Sequence, residues 1–205
     1  MMDRPSASTP EQGAADPAHP CVWALADDRT GMANQVVGVA EALGWPFLVK
    51  EMSFNHMSLL PNRMLPVNLI GVQRGSREAL VPPWPDLVIG SGRKTARVAR
   101  WLKRQKPSML LAQTQWPEST EAMDVIAVPE HDRVPEHPAI MRTIGAPHIL
   151  TPDRLTTARD VLAPRLAHLP KPYIACLVGG KNRHTAFTTE DARTLGRKAS
   201  DLARE

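Results

Sequence analysis

Five short polar segments hold most of the side chains that could do chemistry. They are DDRTG (Asp27 to Gly31), SGRK (Ser91 to Lys94), QTQWP (Gln113 to Pro117), EHDR (Glu130 to Arg133) and GGKNRH (Gly179 to His184). Each follows an apolar run of strand length. In DDRTG, Asp27 and Asp28 beside Arg29 have the make-up of a general base or of ligands for a sugar hydroxyl. The same residues are also common turn formers and helix caps. Asn34 and Gln35, one turn later, either aim their amides at the same place or face water. In SGRK, Gly92 permits close backbone approach, and the N–H groups from Arg93 onward open a helix. Arg93 and Lys94 add charge suited to a phosphate or carboxylate; the alternative is an ordinary turn whose basic residues are solvated. GGKNRH offers two glycines, then Lys181 and Arg183, which suit a diphosphate, although it is neither GxGxxG nor a Walker loop. His131 is the best-placed acid–base side chain, with a solvated loop histidine as the alternative. The other histidines show no metal-ligand spacing, and no GxSxG or HExxH motif occurs. Metal and serine-hydrolase chemistry are therefore not expected, and no cofactor is assigned.

The elements that must position these loops read as βα units. CVWALA (Cys21 to Ala26) is an apolar strand. From Asn34 to Leu43, Val36, Val39, Ala40 and Leu43 mark one helical face, which Gly44 and Pro46 close. A second strand runs from Pro46 to Met52. The Pro-rich stretch Ser53 to Pro85 reads as irregular, with one short helix. Asp86 to Gly90 is a strand, Thr95 to Gln105 a helix burying Val98, Trp101 and Leu102, and Ser108 to Gln113 and Met123 to Val128 are further strands. Leu155 to Leu169 reads as a connecting helix with Leu155, Ala158, Leu162, Leu166 and Leu169 on one face. After the linker LPKP, YIACLVGG reads as a strand. A last helix follows, with a capping box at Thr188 and Asp191 and a buried face of Ala192, Leu195, Ala199 and Leu202. The expected fold is α/β, a doubly wound parallel sheet of Rossmann-like type. Residues 1–20 are expected to form a disordered tail and 21–169 one domain. Residues 170–205 read as the first βα unit of an incomplete second domain. A lone βα unit has no neighbours to bury against, so the sequence reads as the front part of a longer protein.

Composition excludes several classes. The apolar share of 42% supports a real core. No run approaches the roughly 20 apolar residues of a membrane helix, and no signal peptide opens the chain, so a cytoplasmic protein is expected. The net charge of +4 is scattered, with arginine outnumbering lysine. No basic block or aromatic stacking platform points to nucleic acid. Some arginines are expected to meet small anionic groups. Cys21 and Cys176 lie in apolar runs and read as small buried hydrophobes.

Taken in order, WALADDRTGMANQVVGVAEALGW, LLPN, PPWPDLVIGSGRKTARVARWLK, QTQWP, DVIAVPEHDR, TIGAPH and LVGGKNRH resemble the bacterial branch of the mitochondrial-fission "elongate mitochondria" family. Its bacterial members are often labelled predicted nucleoside-diphosphate-sugar epimerases. The resemblance implies a fold like the two-Rossmann-domain (GT-B) glycosyltransferases, with chemistry in the cleft between domains. It implies that Gly31, Asn34 and Gln35, then Ser91, Gly92, Arg93 and Lys94, line that cleft beside Gln113, Thr114, Glu130, His131 and Asp132. Gly179, Gly180 and Lys181 would face them. The expected ligand is a nucleotide-sugar or a sugar acceptor, the expected reaction glycosyl transfer, and the candidate bases Asp28 and His131. An epimerase is disfavoured by the residues themselves: no GxGxxG opens the first βα unit, and Tyr173, the only tyrosine, has no lysine four residues on. Two rivals stay open, a non-enzymatic interaction module on the same fold and a truncated, inactive product.

Overall fold

The computed structural model describes residues 19–60, 66–178 and 187–204. The chain divides into two compact units, one ending at Leu150 and one from Thr151 to Glu205.

The first unit is built on strand β1 (Val22–Asp27), every residue of which is buried. Continuous burial follows from helices on both faces. Val22 and Ala24 pack with Val36 and Ala40 of helix α1 (Thr30–Ala42), while Trp23 and Leu25 join Ala96, Val98, Ala99 and Leu102 of a later helix. The alternation is the two-residue period of a strand, with apolar partners on each side. β2 (Phe47–Met52) pairs with one edge of β1 and β3 (Leu87–Gly90) with the other, both in parallel. Between them, the Pro-rich stretch forms a 3-10 turn at His56–Leu59, a bridge from Phe54 to Val72, and the short helix α2 (Arg74–Glu78). Helix α3 (Gly92–Gln105) then leads to β4 (Leu110–Gln113), followed by β5 (Val125–Pro129) and β6 (Ile140–Thr143). The sheet order is β2-β1-β3-β4-β5-β6 and every pairing is parallel. This is a doubly wound α/β fold whose strand order reverses between β1 and β3.

Several features of this unit differ from the sequence reading. β6 was not anticipated, because its four residues are only half-buried or exposed and carry Arg142. It also follows β5 through a loop, where parallel strands usually have a helix. The arginines of α3 also bond to backbone carbonyls, which the sequence reading did not foresee. Arg93 donates to the Leu60 carbonyl at 2.6 Å, Arg97 to Ile70 at 2.7 Å and Arg104 to Val67 at 3.1 Å. Arg100 reaches the Glu121 and Ser119 carbonyls at 3.2 and 3.3 Å. These guanidinium groups satisfy loop carbonyls that have no ladder to join. Cys21 is half-buried and Cys176 exposed, so neither is the buried hydrophobe expected. Desolvation, then the Asp86 charge, push the Cys21 thiol above its ordinary pKa.

The second unit contains α4 (Pro152–Leu166) and α5 (Thr189–Leu202). Thr151 caps α4 by accepting from the Arg154 N–H, and Thr188 with Asp191 forms the anticipated capping box. No residue of either helix is buried. Leu155, Leu162 and Leu169, expected on one face of a connecting helix, are 56%, 47% and 45% exposed, and Leu169 lies beyond the end of α4. Periodicity identifies the face that seeks cover but not what covers it. Tyr173–Val178, expected as a strand, is irregular. A strand needs a neighbour for its N–H and C=O groups, and among the described residues none pairs with it.

Candidate functional site

The carboxyl ends of β1 and β3 define the crevice at which ligands gather in open α/β sheets. Asp27 ends β1 and is buried. Its carboxylate accepts the Arg29 backbone N–H at 3.0 Å, Arg29 Nε at 3.3 Å and Arg29 Nη2 at 2.8 Å. Burial alone would raise its pKa. Hydrogen bonds from Arg29 and Asp28, with the Arg29 charge, outweigh that and hold it at about 2. Asp28, exposed on the loop, moves the other way. Its hydrogen bond to Asp27, then partial burial and the Asp27 charge, raise its pKa, while Lys94 and Arg29 oppose the rise. The pair thus splits into an ionised carboxylate and a neighbour that keeps its proton to higher pH.

The loop after β3 lies against the first turn of α1. The Ser91 hydroxyl donates to the Met32 sulfur at 3.5 Å. Gly92 has φ of +70°, and a Cβ there would stand 2.6 Å from the Met32 methyl carbon. The backbone N–H of Ser91 is taken by the Thr95 hydroxyl at 2.8 Å, and that hydroxyl reaches the Ser91 carbonyl at 2.9 Å. α3 begins at Gly92, three residues before the expected start at Thr95, with Ser91 as its N-cap residue and no side-chain cap. Arg93 turns to Glu118, 3.4 Å away, as well as to Leu60. Lys94 holds its ammonium 5.0 Å from the centre of the Phe54 ring.

Beyond these loops, a set of buried polar atoms has no partner. Gln113 is 1% and Thr114 2% exposed, and neither the Gln113 amide atoms nor the Thr114 hydroxyl makes a hydrogen bond. Gln35 Oε1 on α1 and Thr143 Oγ1 at the end of β6 are in the same state. The Gln113 amide leans across to β3: a Cβ on Gly90 would lie 2.5 Å from its Nε2 and 2.9 Å from Thr95 Oγ1. Each unpaired buried group costs about 1–3 kcal/mol, and folded proteins keep few of them. Trp23 Nε1 and Arg97 Nε and Nη1 are in the same state away from this edge, and Gln113 and Thr114 are the two that adjoin in the chain, at the carboxyl end of β4.

Not every expected residue joins this group. Asn34 is half-buried and Gly31 exposed, with nothing near enough to require glycine. Glu130 and His131 are exposed on the loop after β5, where His131 Nε2 lies 3.7 Å from Asp132 Oδ1. β5 is three strand steps from β1, about 14 Å at ordinary strand spacing, so Asp28 and His131 do not act on one proton. Gly179, Gly180 and Lys181 lie outside the described residues. Two surface depressions, of about 180 and 440 Å³, sit elsewhere, one beside Arg100 and Arg104 and one beside Lys50 and Gln73. Sequence reasoning did not weigh Met32, Thr95 and Gly90. Their signals, a methionine in a polar turn, a threonine at the fourth position after a serine and a glycine ending an apolar strand, are individually common.

Among the described residues no group of three His, Cys, Asp or Glu side chains could hold a metal ion, and no helix is long and apolar enough to cross a membrane. Fold and crevice together define a doubly wound α/β domain with a polar site at its strand-order switch. The chain belongs to the Mitochondrial fission ELM1 family, whose match runs over residues 30–205. It is 31% identical over 113 residues to an uncharacterized protein of Rickettsia prowazekii (strain Madrid E), in line with a bacterial branch of the family. That match covers 54% of this chain and 32% of the relative, so the chain corresponds to about a third of the relative's length. No solved structure matches.

Proposed function

We propose that the chain is the sugar-handling part of a glycosyl-transfer protein, in which a nucleotide-sugar or sugar acceptor binds at the β1/β3 crevice. What supports the reading is the pair of buried, unpartnered side chains Gln113 and Thr114 at the carboxyl end of β4, on the sheet edge where Asp27 ends β1. In an inverting transfer an acceptor hydroxyl oxygen bonds to the anomeric carbon. The bond from that carbon to the diphosphate oxygen breaks with its electron pair, and the hydroxyl proton passes to a base. Asp28 is the proposed base, because a raised pKa makes its ionised form the stronger proton acceptor and it is exposed. His131, three strands away, would serve only a second region of a long ligand. On sequence alone, Gly179, Gly180 and Lys181 remain the proposed contacts for the diphosphate.

The test is calorimetric titration of this chain with UDP-, GDP-, ADP- and CMP-sugars and with free mono- and disaccharides. Saturable binding of a sugar-bearing ligand, weakened in Asp28→Asn, is expected. A folded chain that binds none of them refutes the proposal. A second reading, a protein-interaction module, is favoured by one observation: Met57, Leu60, Ile70 and Val81 of the Pro-rich stretch are 37%, 38%, 43% and 53% exposed. Loss of a stoichiometric partner when all four are changed to serine would support it.

A further inference from the structure

Independently of the sugar reading, we infer that the depression beside the last turns of α3, walled by Arg100 and Arg104, binds a phosphate group. It lies at the opposite end of the sheet from the β1/β3 crevice. α3 runs back from the end of β3 and leads to Leu110, which pairs with Leu87, the first residue of β3. The loop from β4 to β5 makes the same return and lays Ser119 and Glu121 beside the helix. Between helix and loop is a space of about 180 Å³, lined by Arg100, Lys103, Arg104, Pro107, Glu121 and Ala122. At about 30 Å³ for each water of the liquid, that is room for a phosphate group.

Arg100 is 7% exposed, yet its guanidinium is only partly used. Nε donates to the Glu121 carbonyl at 3.2 Å and Nη2 to the Ser119 carbonyl at 3.3 Å, while Nη1 has no partner. Arg104 gives Nη1 to the Val67 carbonyl at 3.1 Å and keeps Nε and Nη2. Neither arginine forms an ion pair; Lys103 is paired with Asp124 at 3.0 Å. Two guanidinium groups with only neutral partners suit a phosphate, which accepts at every oxygen. The backbone shows that the loop is held in a special form. Among the described residues, the non-glycine residues with left-handed backbone are Glu118 at φ 69° and Ala122 at φ 59°. They bracket Ser119 and Glu121, whose carbonyls take Arg100. Strain of this kind gathers at ligand clamps. Two features oppose an anion: the Glu121 carboxylate and the negative end of the α3 dipole, which Lys103 and Arg104 offset. They limit the affinity, and the first supplies a test.

The experiment uses the full 205-residue chain at pH 7.5 and constant ionic strength, with inorganic phosphate and phenyl phosphate as probes. Calorimetry gives the affinities, and the backbone N–H resonances of Glu121 and Ala122 report the place. The expected result is saturable one-to-one binding below about 10 mM that moves both resonances. The tighter of the two probes then tells a free phosphate from one carried on an organic group. Arg104 is exposed, so Arg104→Gln should fold as before and weaken the probe by about tenfold, the loss of a charge-assisted donor. Arg74→Gln, which removes an equal charge from α2, should leave the affinity unchanged. Glu121→Gln keeps the carbonyl that holds Arg100 but removes the opposing carboxylate, and should tighten binding by about threefold or more. Basic residues that serve only the helix dipole would give no such gain. Equal weakening by Arg104→Gln and Arg74→Gln marks non-specific attraction and overturns the inference. So do unmoved resonances at Glu121 and Ala122, or an affinity that Glu121→Gln leaves unchanged. The sugar titrations read the other end of the sheet, so failure here leaves the proposed function standing, and the reverse holds as well.

Discussion

Gly92→Ala tests the contact that joins the two principal loops. Gly92 sits at φ +70°, which costs an L-residue about 1–2 kcal/mol. The added methyl would also stand 2.6 Å from the Met32 methyl carbon. That neighbour is the far end of a flexible side chain, so it can rotate away at about 0.5–1.5 kcal/mol for a poorer rotamer and lost contact. Summing the two, Gly92→Ala should lose about 1.5–3.5 kcal/mol. The double variant Met32→Ala/Gly92→Ala, compared with Met32→Ala alone, should lose only the backbone part. Gly31→Ala is the control: nothing lies within 4 Å of its Cβ position and its φ is ordinary, so it should be neutral or gain up to about 1 kcal/mol.

Urea denaturation followed by tryptophan fluorescence is the assay, because Trp23, Trp84 and Trp101 form an edge-to-face chain through the core of the first unit. Shifts in midpoint at constant slope read as stability. The reasoning is refuted if Gly92→Ala unfolds within about 0.5 kcal/mol of the unaltered chain. It is refuted equally if prior removal of Met32 leaves the cost unchanged, since no clash would then exist.

Two further predictions concern the same edge. Thr95→Val should cost about 1–3 kcal/mol by leaving the buried Ser91 N–H without its 2.8 Å acceptor, while Thr95→Ser keeps most of that; equal urea midpoints for the two would show the hydroxyl to be idle. Asp27, held at about 2 against an ordinary 3.8, contributes stability that is full above the unfolded value and lost as pH falls from about 4 toward 2. That difference is on the order of 2 kcal/mol. Thermal midpoints of the unaltered chain should therefore fall across that window more steeply than those of Asp27→Asn, and parallel curves would contradict the assignment.

How much of this was legible in the sequence depended on where the cause lay. β1 was plain because apolar helices cover both its faces, so every residue in the run is apolar or small. α1 ended where Gly44 and Pro46 said it would. Of the second unit's helices, α4 was visible through its leucine spacing and α5 through the Thr188 cap, which is local. β6 was hidden because an edge strand with exposed Met141 and Arg142 has no period to detect. Burial along α5 was misjudged because apolar spacing is a property of the helix, whereas burial belongs to whatever lies over it. In the site, the loops could be named from their place after each strand. That Arg29 and Arg93 are already paired could not, because their partners are set by how the loops turn back on themselves.

The topology also decides among candidates that composition leaves equal. Asp28 and His131 both looked like bases, each following an apolar strand. The sheet order puts β3 and β4 between them, so a single sugar ring can meet one or the other but not both. Unpartnered polar atoms gather on the Asp28 side: Gln113 leans onto Gly90, and Gln35 rises from α1, which packs on β1 and β3. On the His131 side, the described orphan is Thr143 Oγ1, on the edge strand. A ligand that satisfied the first group would leave His131 in water, where it is 74% exposed. A ligand long enough to reach His131 would have to lie along the sheet edge across β4. Under the proposed function, the separation of Asp28 and His131 would tie the choice of base to the length of the ligand, a short acceptor meeting Asp28 and only an extended one reaching His131.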